Sequence, residues 1–334
     1  MDAMKRLIVT NDSTAAGGLK NAARADIAIP VDRRLVWGPL PSETELVAFF
    51  EARTNQKPTD HWLDFGPTQR LERFGIKDLG FLEVCARFET VELWFDPEPN
   101  AQLTLIWLLD YLRHHGKTAS KLTLVQADVV IGNYGPDELA EWRPAAVKIL
   151  NNHLKAASMA WQAYRQPTPQ FWYNLLGDNL SILPQLRQTV QELLEELPTD
   201  VTALGATEMR LLELISTGNA GPFDVFPGHR KPNQRRVFYY WEVGSLLDGL
   251  ARSPAPAVSG LDEGPFTLEM HDDANRFERY KCSKLKLTSL GEAILARTED
   301  FSRHNPIHRW WGGTELTNDR LWRWDPANRA LIAP

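Results

Sequence analysis

Cysteine is nearly missing from this chain: Cys85 and Cys282 are the only two in 334 residues. They lie far apart, and neither belongs to a Cys/His group with metal-ligand spacing. That argues against a disulfide framework and against a zinc site, and it points to a reducing compartment, the cytoplasm. Long apolar runs are missing too. No stretch approaches the ~18 uninterrupted apolar residues of a membrane span, and no apolar leader follows Lys5 and Arg6, so neither secretion nor a membrane partner is expected. Positive charge is not in excess: 37 Lys and Arg stand against 43 Asp and Glu, a net charge of −6. Indiscriminate nucleic-acid binding through phosphate contacts is therefore disfavoured. Neither GxGxxG nor GxxxxGK[ST] occurs, so there is no standard dinucleotide or Walker signature and the cofactor stays unknown.

What is present is a mixed pattern of strands and helices. The length predicts two domains or more. The first forty residues read as strand, small-residue loop, helix, strand: 7–10, 11–18, 19–25 and 26–31. Parallel-sheet nucleotide or anion sites begin this way. In the loop, Asn11, Asp12 and Ser13 supply caps, and Gly17 and Gly18 allow close backbone approach. Backbone N–H groups of such a loop can meet a phosphate at the helix start; the plainer alternative is a capped turn for tight packing. Asp32 follows the second strand, at the sheet edge where ligands bind. It suits a ribose, metal or substrate contact, or a local ion pair with Arg33 or Arg34.

Residues 43–53 read as an amphipathic helix closed by Arg53, 90–95 as a strand, 96–100 as a loop, 102–112 as an apolar helix and 121–125 as a buried strand. These place Glu92, Asp96, Glu98 and Gln102 with Asp12, Asp32 and Asp128 near strand carboxyl ends. Such a crevice could hold a divalent cation through oxygens or carry acid/base chemistry; wet polar strand ends are the simpler account. No metal ligand is assigned.

Residues 136–199 read as an all-helical block. Beyond it come helices at 207–215 and 235–250, strands at 266–270 and 280–287, and a helix at 288–296, an order resembling a winged-helix domain. Its DNA contacts would be Arg235, Arg236, Arg276, Arg279, Lys281, Lys284 and Lys286, but acidic residues are interleaved and aromatics dominate 238–241, so DNA is not the favoured partner. The tail is rich in tryptophan: Arg309-Trp310-Trp311-Gly312-Gly313 and Trp322-Arg323-Trp324-Asp325. Either it clasps the helical block with its indoles, or it closes over the first crevice with Arg309 and Arg323 neutralising an anion.

Several of these stretches resemble the DUF1835 family of uncharacterised bacterial proteins, over most of the chain. Val9-Thr10-Asn11-Asp12-Ser13 with Ala15-Ala16-Gly17-Gly18-Leu19 is similar to the family's opening "TNGDSAAGxL". Asp32 to Leu35 followed by Gly38-Pro39 is similar to its "Asp-x-x-x-x-GP" turn. Glu92-Leu93-Trp94-Phe95 with Gln102-Leu103 is similar to "LWFEHDxxDQL". Arg53 falls on the family's helix-closing arginine, and Asn305, the 309–313 run and 322–325 resemble its C-terminal signature. The chain departs where the glycine of "GDS" is missing and where "EHDxxDQ" becomes Asp96-Pro97-Glu98-Pro99-Asn100-Ala101-Gln102, without the histidine and one acid. The resemblance implies a fold and no activity.

The expectation is thus an α/β chain with four parts. A Rossmann-like parallel-sheet domain covers 1–135, a helical block 136–199, a winged-helix-like domain 200–300 and a tryptophan-rich tail 301–334. Its function would be to bind a small anionic or nucleotide-like ligand through Asn11, Asp12, Ser13, Gly17, Gly18, Asp32, Arg53, Glu92, Asp96, Gln102, Arg309 and Arg323. An enzyme acting on a phosphorylated or nucleotide substrate and a DNA-binding regulator are the alternatives. Oligomeric state is not legible.

Overall fold

The computed structural model describes residues 4–54, 57, 59–228 and 231–334. The chain forms two compact units. One holds Met1–Leu35, Leu40–Arg165 and Leu175–Thr189; the other holds Val36–Pro39, Gln166–Asn174 and Val190–Pro334.

The first unit is built on a five-stranded sheet in the order β2-β1-β3-β4-β5. Its strands are β1 (Met4–Thr10), β2 (Ile27–Pro30), β3 (Phe88–Phe95), β4 (Leu122–Gln126) and β5 (Val147–Lys148). β1 to β4 run parallel, with Leu7 opposite Ile27 and Val91, and Leu93 opposite Leu124; β5 joins antiparallel. Strands covered on both faces carry near-continuous apolar residues, and Leu7, Ile8 and Val9 are all fully buried.

One face of the sheet packs on α1 (Ser13–Asn21), with Ile8, Ala28, Trp94 and Val125 meeting Ala15, Ala16 and Leu19. Further helices are α2 (Glu43–Ala48), α3 (Thr68–Arg73), α4 (Phe81–Arg87), α5 (Pro99–Leu112), α6 (Gly116–Ala119), α7 (Pro136–Glu141) and α8 (Asn151–Tyr164). α5 is buried along almost its whole length. Trp107 on it meets Phe49, Phe50 and the Trp161 ring of α8.

Local chemistry moves several boundaries from their sequence expectations. α1 starts at Ser13, because Asp12 caps it by accepting from the Ala15 N–H at 2.7 Å. Gly17 and Gly18 therefore lie inside a helix and form no loop. A Cβ on Gly18 would sit 2.8 Å from Leu139 of α7, so this glycine permits close helix packing. α2 starts with a Ser42/Glu45 capping box and ends at Ala48, well before Arg53. There the Phe50 carbonyl turns to accept from the Phe81 N–H at 2.7 Å. Pro99 at the first turn of α5 shortens the expected loop at 96–100. Val147, expected in a helix, is in the edge strand β5.

Cys85 on α4 is buried and Cys282 is exposed. Burial pushes the Cys85 thiol far above its ordinary range. The native chain is expected to yield one thiol to a disulfide reagent and two after denaturation; two in the native state would contradict this placement.

α9 (Gln170–Asn174) and α10 (Leu186–Leu194) follow, the latter shorter than the apolar stripe over 180–197 suggests. The second unit then contains α11 (Ala206–Ser216), α12 (Pro222–Val225), α13 (Tyr240–Arg252), β6 (Val258–Ser259), α14 (Leu268–Asp272), α15 (Ala274–Cys282), β7 (Lys286–Leu287) and α16 (Ser289–Leu295). β6 and β7 pair antiparallel. The strand expected at 266–270 is helical over 268–270, and of the strand expected at 280–287 only Lys286–Leu287 is a strand, while 280–282 close α15. Thr267 caps α14 and Asp273 caps α15 through the N–H groups of Asn275 and Arg276, so side-chain caps override an apolar alternation whose Leu268 is exposed. α13 begins at Tyr240, five residues later than expected, where Glu242 reaches back to the Tyr239 N–H.

The tail forms two hairpins, β8 (His308–Trp311) with β9 (Thr314–Thr317) and β10 (Arg323–Asp325) with β11 (Ala330–Ile332). Gly312 and Gly313 are the two-residue turn of the first, with Gly312 at φ 54°; that is the conformation such a tight hairpin demands.

Candidate functional site at the strand carboxyl ends

β1 ends in Thr10 and passes at once into α1, so Asn11 and Asp12 stand at the sheet's carboxyl edge. β3 ends in Phe95, and Asp96 stands at the same edge. The two ends are locked together. Asn11 Nδ2 donates to Asp96 Oδ2 at 2.9 Å, and the Asp96 N–H donates to Asn11 Oδ1 at 3.1 Å. The other carboxylate oxygen of Asp96 accepts from the Ile131 N–H at 2.9 Å. Gln102, on α5, donates from Nε2 to the Asp96 carbonyl at 2.6 Å and accepts from Gln126 Nε2, at the end of β4, at 2.8 Å. Asp96 and Gln102 are fully buried and Asn11 nearly so. Buried polar groups are stable only when bonded, and this network ties the ends of β1, β3 and β4.

The edge continues past β2. Asn100 on α5 accepts from the Leu35 N–H at 2.7 Å and donates to the Arg33 carbonyl at 2.9 Å, holding the segment that carries Asp32. Arg33 lies over the Phe49 ring at 5.2 Å, and burial lowers its guanidinium pKa despite Asp60 nearby. Asp12 and Asp32 are half-buried and Ser13 is exposed. Thr10 is fully buried, and its Oγ1 has no hydrogen-bond partner.

Asn11, Asp12, Ser13, Asp32, Asp96 and Gln102 thus occupy one edge, as their positions in sequence suggest. Glu92 does not share it. It sits within β3, two residues before the Trp94 position, paired with Arg6 Nε at 3.3 Å and accepting from the Trp94 indole at 2.8 Å. Arg53 is engaged with Asp64, with Asp78 at 3.2 Å and with His61 at 3.2 Å, and so braces a loop; none of these partners belongs to the network. Burial, then Arg53, lowers the pKa of His61. Among the described residues, no group of three or more His, Cys, Asp or Glu side chains is arranged to hold a metal ion.

Arg309 and Arg323 belong to the second unit, where each has a carboxylate partner. Arg309 donates to Glu208 at 2.7 Å; Arg323 pairs with Asp300 at 2.9 Å and donates to the Thr199 carbonyl. Trp311 donates its indole N–H to the Leu193 carbonyl at 2.7 Å. The Trp37-Gly38 turn and the His308 to Trp311 strand line one cavity of about 220 Å³. Among the cations read as DNA contacts, Arg235 is bonded to Glu195 and Glu196, Arg276 and Arg279 both pair with Glu263, and Lys281 pairs with Glu278. The Gly264 N–H and these two arginines hold the Glu263 carboxyl down at about 2.

Sequence reasoning did not single out Thr10, Asn100 or the Ile131 N–H. The first two are polar residues beside strand ends, and their type and position were a usable signal; the last is backbone and carries none. Among the described residues no helix is long and apolar enough to cross a membrane. No family model matches the chain, and no curated protein matches it.

Proposed function

We propose that this chain binds a small anionic or nucleotide-like ligand at the carboxyl ends of β1 and β3. The strand order carries the reading. The chain leaves β1 for β2 on one side and later returns to β3 on the other. In open α/β sheets the crevice at such a reversal is where ligands bind. The start of α1 lies at the same end, and its dipole favours an anion there. Ser13 and Thr14 are exposed side chains at that helix start, and Asp32 suits a ribose hydroxyl. Asn11, Asp96 and Gln102 then act by holding the edge in shape, because their hydrogen bonds are already spent on one another.

This proposal takes the first unit as Rossmann-like and the second as winged-helix-like, in a cytoplasmic bacterial protein of the DUF1835 kind. The TNDS and LWF stretches that carry that resemblance are those at the ends of β1 and β3.

The test is a thermal-shift panel of nucleotides and phosphorylated metabolites. A member at 100 times its Kd should stabilise by about 2.7 kcal/mol. Ser13→Asp should abolish the shift, since an acid in a first helical turn suits the helix but repels an anionic ligand. A flat panel, or a shift that Ser13→Asp leaves intact, sinks the proposal.

A further inference from the structure

The second unit contains an open cavity of about 610 Å³, within the ~300–1,000 Å³ range of small-molecule sites. It forms where α12, the start of α13 and α15 converge. Phe223, Tyr240 and Phe277 line it, and each is only half-buried. Phe223 and Tyr240 are parallel to within 1° with centroids 5.8 Å apart, and Phe277 lies 5.7 Å from Phe223. The buried parts of these rings rest on Phe226, Phe266 and Tyr280, so the platform is held from behind.

The charge at this cavity has one sign. Lys231, Arg236 and Lys281 line it, and no carboxylate does among the described residues. That contrasts with the chain's net charge of −6. Nearby acids have other duties: Asp224 accepts from the Gly221 N–H at 2.9 Å, and Glu278 pairs at the surface with Lys281 at 3.2 Å. Lys231 donates to the Phe223 carbonyl at 2.7 Å, which ties a cation directly to the ring platform. An ammonium has three donors, so this bond leaves capacity for a ligand.

We propose that this cavity is a second binding site, for a small planar aromatic ring that bears an anionic group, such as a nucleoside monophosphate. Exposed ring faces stack a planar group, and the lysine ammoniums at the cavity bind its anion. A free small molecule fits better than a nucleic-acid strand. Beyond the cavity, Arg276 and Arg279 share the one carboxylate of Glu263, so fewer of their donors are left for the phosphates of a strand.

The test is calorimetric titration of the full chain with AMP, adenosine, inorganic phosphate and a deoxythymidine oligomer, joined to photolabelling by 8-azido-AMP. AMP is expected to saturate at least tenfold more tightly than adenosine or phosphate alone. Lys281→Glu, an exposed change, should weaken AMP tenfold or more with an unchanged melting curve. The photolabel should fall on peptides within 223–281. Absence of saturation by AMP, AMP binding that Lys281→Glu leaves unaltered, or tighter binding of the oligomer would each overturn the proposal. Labelling confined to peptides spanning 10–18 or 96–102 would also overturn it, while supporting the site at the strand ends; the two readings therefore fail separately.

Discussion

Asp96→Ala is expected to destabilise the first unit by about 3–5 kcal/mol. The carboxylate is fully buried, and it accepts from Asn11 Nδ2 and from the Ile131 N–H. Its removal strands two donors, at ~1–3 kcal/mol each, and leaves a small cavity besides. Asn11 Nδ2 would keep only its longer bond to Asp12 at 3.2 Å, while Asn11 Oδ1 still accepts from the backbone N–H of residue 96. For a unit of this size the melting temperature should drop on the order of 10 °C. Lys121→Ala, on an exposed side chain before β4, should stay within ~0.5 kcal/mol and serves as the reference. A melting curve for Asp96→Ala that overlays the Lys121→Ala curve would show that the network is not what holds the strand ends.

The second large effect falls in the other unit. Glu196 has a side chain only 2% exposed. It accepts from Arg235 Nε at 2.7 Å, from Thr207 Oγ1 at 2.6 Å and from the Thr207 N–H at 3.1 Å. Burial would lower the Arg235 guanidinium pKa, but Glu196 and Glu195 outweigh it and hold the group above its ordinary value. Glu196→Ala should therefore cost about 3–5 kcal/mol: it strands the two Thr207 donors, at ~1–3 kcal/mol each, and takes from Arg235 its buried partner, leaving Glu195. Replacing both Glu196 and Arg235 with methionine should cost less than Glu196→Ala alone, because apolar side chains then fill the site and no guanidinium is left there without its buried partner. Chemical denaturation of the three proteins measures this. If the double variant is the least stable, the pair itself, and not the orphaned charge, is the source of the stability.

The first unit was the more legible from sequence. The apolar runs of β1 and β3 are buried on both faces, so Leu7-Ile8-Val9 and Leu93-Trp94-Phe95 announce themselves without reference to partners. The second unit misleads where short capped helices carry few apolar residues. Phe266, Leu268 and Met270 alternate as a strand would, yet Thr267 caps a helix there. A local hydrogen bond of that kind decides between two backbone states that differ little in hydrophobic pattern.

The polar residues at the site divide in the same way. Asp12 and Asn11 could be named from sequence because they follow a strand and precede a helix. Their duties could not be: Asp96 was expected to face a ligand, and it is committed to Asn11 and Ile131 instead. The same holds for Arg53, whose charge is used by Asp64 and Asp78, and for Glu92, whose place within β3 pairs it with Arg6.

By itself, the amino-acid order determined the alternation of strands and helices in the first unit, the lack of a disulfide framework, and the residue types collected at the ends of β1 and β3. Those follow from near-neighbour chemistry: periodicity, caps and composition. The tertiary structure alone decided that the chain reverses direction across the sheet between β1 and β3, that Asp96 meets Asn11 across 85 positions of sequence, and that Phe223, Tyr240 and Phe277 share one cavity with three cations. Each of these is a contact between distant segments, and which distant polar groups pair is set by the packing that brings them out of water together, a condition no local pattern encodes.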